Sequence, residues 1–270
     1  MFPLNDTIRF ARSYANWDGL STVAITFDVD FAPAYMIENV LGILKRHNAP
    51  ATFFATHPSE ILRQITQTDD LHEVGLHPNL GPNSTQGNGL IDILTRLRTT
   101  YPAATGNRFH LLGYSYRDLV VLGQYGFRYD VSTLRFNCPY VLPAWHPDLK
   151  LILLSYTWED GICENSELPM RLGSIDLASP GIKIINFHPM NIYINGSTSQ
   201  PRLRFLRENP DLLNCPQPVA DMYRCQGDGA ETVLRDLLAY LVDKHVRLLR
   251  VKDLAWAYAD IVPQLRGDPR

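Results

Sequence analysis

The sequence predicts a single α/β domain built as a distorted barrel of seven or eight (β/α) units. Three observations predict it. Short apolar runs alternate with stretches at helical spacing, as parallel βαβ units require. No G-x-G-x-x-G follows any of those runs, which disfavours the alternative of an open dinucleotide-binding sheet. Acids and histidines recur just past the C-terminal ends of the runs, and that end carries the chemistry in α/β barrels.

Val23 to Phe27 is apolar and rich in β-branched residues, so it reads as a strand covered on both faces. Pro33 stands at a first helical position, and Ile37, Val40, Leu41 and Leu44 keep helical spacing to about His47. Ala51 to Ala55 is a second strand, and Pro58 opens a short helix through Leu62. Glu73 to Leu76 is a third strand ending at His77, followed by a loop from Asn79 to Gly89. Leu90, Leu94 and Leu97 mark a helix, and Phe109 to Leu112 reads as a fourth strand. Leu119 and Leu122 mark a helix that Gly126 closes. Phe127 to Val131 is a fifth strand and Leu151 to Leu154 a sixth, followed by Trp158-Glu159-Asp160-Gly161. Ile182 to Phe187 is a seventh, ending at His188. Val233, Leu234, Leu237, Leu238 and Leu241 give the clearest helix, Val246 to Val251 a last strand, and Asp253 the cap of a final short helix. Residues 1–270 are thus expected to form one domain, with 1–21 as a lead-in segment and 192–228 as a long loop insertion.

The bulk composition excludes several classes. A net charge of −3 over 270 residues leaves no basic footprint for nucleic acid. No apolar run reaches transmembrane length, and no charged segment followed by an apolar core opens the chain, so a cytoplasmic location is expected. Cys138, Cys163, Cys215 and Cys225 show no C-x-x-C spacing and are expected to be free. No G-x-S-x-G elbow is present, which disfavours a serine hydrolase. Oligomeric state is not legible.

Asp28 and Asp30 carry the sharpest signal. Two residues apart in an extended chain, they point to one side of a strand tip and repel unless a cation lies between them or one keeps its proton. An isolated Asp-x-Asp needs no explanation beyond turn preference. Here His77, Asp130, Glu159, Asp160 and His188 also stand near strand ends, and the set is harder to dismiss.

At this point the residues resemble the polysaccharide deacetylase superfamily, the NodB-homology domain, from about Thr22 to Asp260. Thr26-Phe27-Asp28-Val29-Asp30 is similar to its first motif, with Ala51-Thr52-Phe53-Phe54 following at the family's distance. His72 to His77 resembles the second motif, Arg108-Phe109-His110 the third, Trp158 to Gly161 the fourth, and Ile185-Asn186-Phe187-His188 the fifth. Asp-Val-Asp, His-Pro-Asn and Phe-His-Pro resemble members tied to bacterial lipopolysaccharide O-antigen synthesis.

The resemblance implies a metal-dependent hydrolase that removes an N-acetyl group from an amino sugar of a cell-surface polysaccharide or its precursor. It implies a divalent cation, zinc first, held by Asp30 and His77. It gives Asp28 as the general base, His188 as the acid and Arg108 as the partner of Asp28. Trp158, Tyr114 and Asp160 are expected against the substrate. The family's second metal-binding His falls four residues after the first, where this chain has Gly81. Asn79, His110 or a water is expected to fill that gap, with an absent metal as the alternative. Two other readings stay open: an inactive relative that binds a glycan or partner, and a deformylase or amidase acting on another C–N bond.

Overall fold

β1 (Thr22–Asp28) is buried at every position and forms the axis of the fold. The structure, a computed structural model, describes residues 22–68 and 71–261; the expected lead-in 1–21 lies outside them. After β1 come α1 (Ala34–Arg46), β2 (Ala51–Ala55), α2 (Glu60–Thr68), β3 (His72–Leu76) and α3 (Gly89–Thr100). Next are β4 (Gly106–Asn107), α4 (Tyr116–Gln124), β5 (Tyr129–Leu134), β6 (Ala144–His146), β7 (Leu151–Tyr156), β8 (Trp158–Glu159) and α5 (Asp160–Asn165). The chain ends through β9 (Ile182–Phe187), α6 (Pro189–Ile194), α7 (Ser199–Glu208), α8 (Gln217–Asp221), α9 (Ala230–Asp243), β10 (Arg247–Leu248) and α10 (Val251–Ile261).

The strands lie in the order β6-β7-β5-β4-β3-β2-β1-β9-β8, with β10 beside the start of β1. All pairings named are parallel except β6 with β7. This is the expected α/β barrel, distorted and not closed by a ladder. Instead the chain changes partner: β7 pairs with β5, the Thr157 N–H donates to the Ile184 carbonyl at 2.7 Å, and β8 pairs with β9.

Strand parity divides the interior. Val23, Ile25 and Phe27 pack outward with Met36, Ile37 and Val40 of α1. Ala24 packs inward with Phe54, Tyr129, Val131, Ile184 and, from α10, Leu254. Thr26 and Asp28 share the parity of Ala24, so they face the barrel axis. The helix α10 closes the floor: the Val251 N–H donates to Thr52 Oγ1 at 2.9 Å and the Lys252 N–H to buried Glu73 Oε2 at 3.0 Å. Those acceptors satisfy two of the helix's orphan donors.

Several expected elements move. The fourth strand is Gly106–Asn107, and His110–Leu112 is a 3₁₀ turn with Leu111 and Leu112 at φ 52° and 54°. A Cβ on Gly106 would lie 2.1 Å from the Tyr129 ring, so only glycine lets β4 approach β5. Phe127 closes α4 through its N–H to the Leu122 carbonyl, so β5 begins two residues later. The expected loop over 192–228 is instead largely helical, holding the end of α6, then α7 and α8. Only Arg247–Leu248 of the last expected strand is extended, and Val251 already starts α10. Asp253 lies inside that helix's first turn, accepting the Arg250 N–H at 3.1 Å. Pro33 is the N-cap of α1 rather than its first residue. The four cysteines are free, as expected. Among the described residues no helix is long and apolar enough to cross a membrane.

Candidate active site

The parallel register brings the C-terminal ends of β1, β3, β8 and β9 and the turn after β4 together at the top of the barrel. Phe27 lies opposite Phe187, and the chains then run on to Asp28 and His188. The His77 N–H donates to the Ala55 carbonyl at 2.9 Å and the Arg108 N–H to the Leu76 carbonyl at 3.0 Å, which extends the sheet pairing into the site.

Asp28 is held from two sides. Arg108 Nη1 donates to its Oδ1 at 2.9 Å and Asn186 Nδ2 to its Oδ2 at 3.0 Å. The guanidinium is fully buried between the rings of Phe54 and Tyr156, at 4.5 and 4.4 Å from their centroids. Its Nη1 also reaches Thr26 Oγ1 at 2.9 Å and Asn186 Oδ1 at 2.5 Å, and its Nε donates to the Val131 carbonyl at 3.1 Å. Burial alone would raise the Asp28 pKa; the charge of Arg108, then His77 and His188, outweighs it and lowers the pKa.

Asp30, His77 and His110 bring one donor atom each to a common point, all within 4.8 Å of one another. His110 Nδ1 is 2.9 Å and His77 Nε2 3.2 Å from Asp30 Oδ1, and the two ring nitrogens are 3.3 Å apart. His77 Nδ1 donates to the Arg108 carbonyl at 2.6 Å, which fixes the ring with Nε2 facing the cluster. Two imidazole lone pairs and a carboxylate aimed at one point suit a divalent cation. Burial would raise the Asp30 pKa, but His110 and His77 hold it well below the usual carboxylate range. The turn that aims Asp30 is left-handed at Asp30 and Phe31, φ 46° and 59°, and Thr56 Oγ1 pins it by accepting the Phe31 N–H at 2.8 Å.

His188 follows β9 and its Nε2 lies 3.5 Å from Asp30 Oδ2. Its Nδ1 is 2.6 Å from Asp160 Oδ1, and its backbone N–H donates to Asp160 Oδ2 at 2.9 Å. Burial would lower the imidazole pKa; Asp160, then Asp30 and Glu159, raise it well above the usual value. Asp28, Asp30, His77, Phe109, His110, Leu111, Leu112, Tyr156, Glu159, Ile162, Asn165 and His188 line one open cavity.

Of the expected site residues, Asp28, Arg108, Asp30, His77, His110 and His188 converge. Asn79 is engaged within its own loop, where its Oδ1 accepts the Gly81 N–H at 2.8 Å, and it lines an adjoining cavity with Asp30 and His110. Asp160, expected on the substrate, is fully buried behind His188. Trp158 is a core residue with no exposed surface, its ring 5.2 Å from Phe187, because on a two-residue strand it points away from Glu159. Tyr114 stacks on Phe109 at 5.2 Å and is not among the residues that line the cavity. Asn186, Thr26 and Glu159 were not assigned roles from sequence. Their signal was parity, since Thr26 shares a face with Asp28 and Asn186 pairs with Thr26 in register.

The chain matches the family described as WbmS-like polysaccharide deacetylase over residues 25–201. Among solved structures it is similar to a Bordetella bronchiseptica protein assigned as a polysaccharide deacetylase involved in O-antigen biosynthesis. The identity is 26%, the TM-score 0.71, and the match covers 81% of this chain and 90% of that one. It also shares its fold with a protein assigned as a polysaccharide deacetylase from Mycobacterium smegmatis, at 18% identity and TM-score 0.58 over 93% of this chain and 95% of that one. Among curated proteins nothing matches.

Proposed function

The chain belongs to the WbmS-like polysaccharide deacetylase family, and on that premise we propose that it removes the N-acetyl group from an amino sugar of a bacterial cell-surface polysaccharide or its precursor, with a divalent cation, zinc first, as cofactor. The observation that carries this is the cluster of Asp30, His77 and His110 beside an Asp28 anchored by Arg108. Three protein ligands with open space beside them match the number usual in a catalytic zinc site. His110 fills the place left by Gly81, which removes the main reason to read the chain as an inactive glycan-binding relative.

A cation held there would act as a Lewis acid toward the acetyl carbonyl and the attacking water. Asp28, kept ionised by Arg108, accepts a proton from that water as its oxygen bonds to the carbonyl carbon. His188, charged because Asp160 holds its Nδ1–H, gives the Nε2 proton to the nitrogen as the C–N bond breaks. Acetate and the free sugar amine leave. The same proposal takes residues 1–270 as one domain, acting in the cytoplasm on a carbohydrate partner.

The test is metal analysis of the purified protein together with acetate release from an N-acetylated amino sugar. Bound divalent metal and chelator-sensitive acetate release are expected. Formate release from a formamido sugar alone would turn the reading to a deformylase, and no metal with no acetate would overturn it.

A further inference from the structure

We propose that Glu159 makes the site selective for N-acyl over O-acyl sugars, by accepting a hydrogen bond from the substrate's amide N–H. This rests on the deacetylase reading above. Glu159 faces the cavity because Trp158, its neighbour on β8, packs outward on Phe187. Its two oxygens have different surroundings. Oε2 takes a long hydrogen bond from Asn186 Nδ2 at 3.4 Å, and the same nitrogen serves Asp28. Both Oε1 and the His188 ring border Gly161: a Cβ there would be 3.1 Å from Glu159 Oε1 and 3.4 Å from His188 Cε1. Glycine at 161 therefore keeps the carboxyl and the imidazole side by side.

That adjacency has a chemical consequence. The leaving atom must come within hydrogen-bond reach of the His188 proton it receives. The other acids near this point are engaged, Asp28 by Arg108, Asp30 by His77 and His110, and Asp160 by His188. An amide nitrogen approaching His188 brings one N–H of its own, and Glu159 Oε1 stands where it can be accepted. An ester oxygen brings only lone pairs, so although Tyr156 and Asn186 still bond the carboxyl, its oxygen meets the ester oxygen as acceptor against acceptor, a repulsion that is costly in a buried site. Burial, with Asp28 and Asp160 nearby, raises the Glu159 pKa. A carboxyl that keeps its proton still offers its carbonyl oxygen as acceptor, and one that ionises favours the ammonium product.

The alternative is that Glu159 only braces Asn186. A bracing role would affect both substrate types alike, so the experiment compares kcat/KM for an N-acetyl amino sugar and its O-acetyl counterpart with wild type, Glu159→Gln and Glu159→Leu. The amide-to-ester preference is expected to fall at least about tenfold in Glu159→Leu, the effect of one lost hydrogen bond in a buried site, and less in isosteric Glu159→Gln. Calorimetry without turnover should show the free amino sugar losing affinity in Glu159→Leu while its hydroxyl analogue does not. Equal losses on both substrates or an unchanged preference overturns the inference and leaves the N-deacetylase reading standing, whereas a wild type that cleaves only the ester overturns both. A wild type that cleaves neither overturns the deacetylase reading, and this inference with it.

Discussion

Asp28 and Asp30 sit two positions apart, yet their neighbours give them different chemistry. Arg108 and Asn186 take Asp28, while two imidazoles take Asp30. Asp28→Asn keeps nearly the same shape and should still meet Arg108, so the fold should survive while kcat falls roughly 10²–10⁴-fold, the usual worth of a general base. Steady-state kinetics beside a thermal melt would check it, and full activity would remove Asp28 from the mechanism. His188 depends on Asp160 in the same local way. The proton it donates must be present, so activity should fall as pH rises through its raised pKa. Asp160→Asn keeps the acceptor oxygen but removes the charge, so that alkaline limb should move to lower pH, with kcat changed more than KM. A limb that stays in place would assign it to another group.

At the scale of elements, the turn after β4 decides how much could be read in advance. Asp28, Asp30, His77, Arg108 and His188 were legible because each lies within a short quotable stretch at a strand end. His110 was harder to place, since Phe109-His110-Leu111-Leu112 has the composition of a strand while the backbone coils with Leu111 and Leu112 left-handed. The true strand, Gly106–Asn107, has neither β-branched nor aromatic residues, and its reason is the Tyr129 ring pressed against Gly106. In α7 the buried residue is Phe205 alone, too faint an apolar stripe for a helix to be read from spacing. Two expectations follow. His110→Ala should weaken divalent-metal binding measured by calorimetry, whereas Asn79→Ala should not; the reverse order would relocate the third ligand. Gly106→Ala should destabilise by ~1–3 kcal/mol in denaturant unfolding, the usual cost of overpacking, because the new methyl meets a ring that also holds Glu73 through the Tyr129 hydroxyl at 2.6 Å. A neutral effect would mean β4 and β5 can separate freely.

For the whole molecule, acid stability offers a test with two opposed signs. His57 is buried after β2, and burial pushes its imidazole down from 6.5 to about 4. Between those values the unfolded chain binds a proton that the folded one refuses, so this contribution is present above pH 6.5 and is lost as pH falls toward 4. Its full size is on the order of 3 kcal/mol. Glu164 runs the other way. Burial, then the Asp160 charge, raise its carboxyl from 4.5 to about 7 against the pull of Arg202, which pairs with it at 2.8 Å. There the folded state holds the proton longer, so its contribution is present below 4.5 and is lost as pH rises toward 7. Over the shared stretch the two contributions oppose each other. Removing either group should unmask the other. In His57→Asn, Tm should fall from pH 5 to pH 7 relative to wild type, since the opposing His57 contribution is gone. In Glu164→Gln, Tm should rise over the same interval relative to wild type. Thermal melts of the three proteins at matched ionic strength read this directly, and curves that stay parallel to wild type would mean that neither group titrates differently on folding.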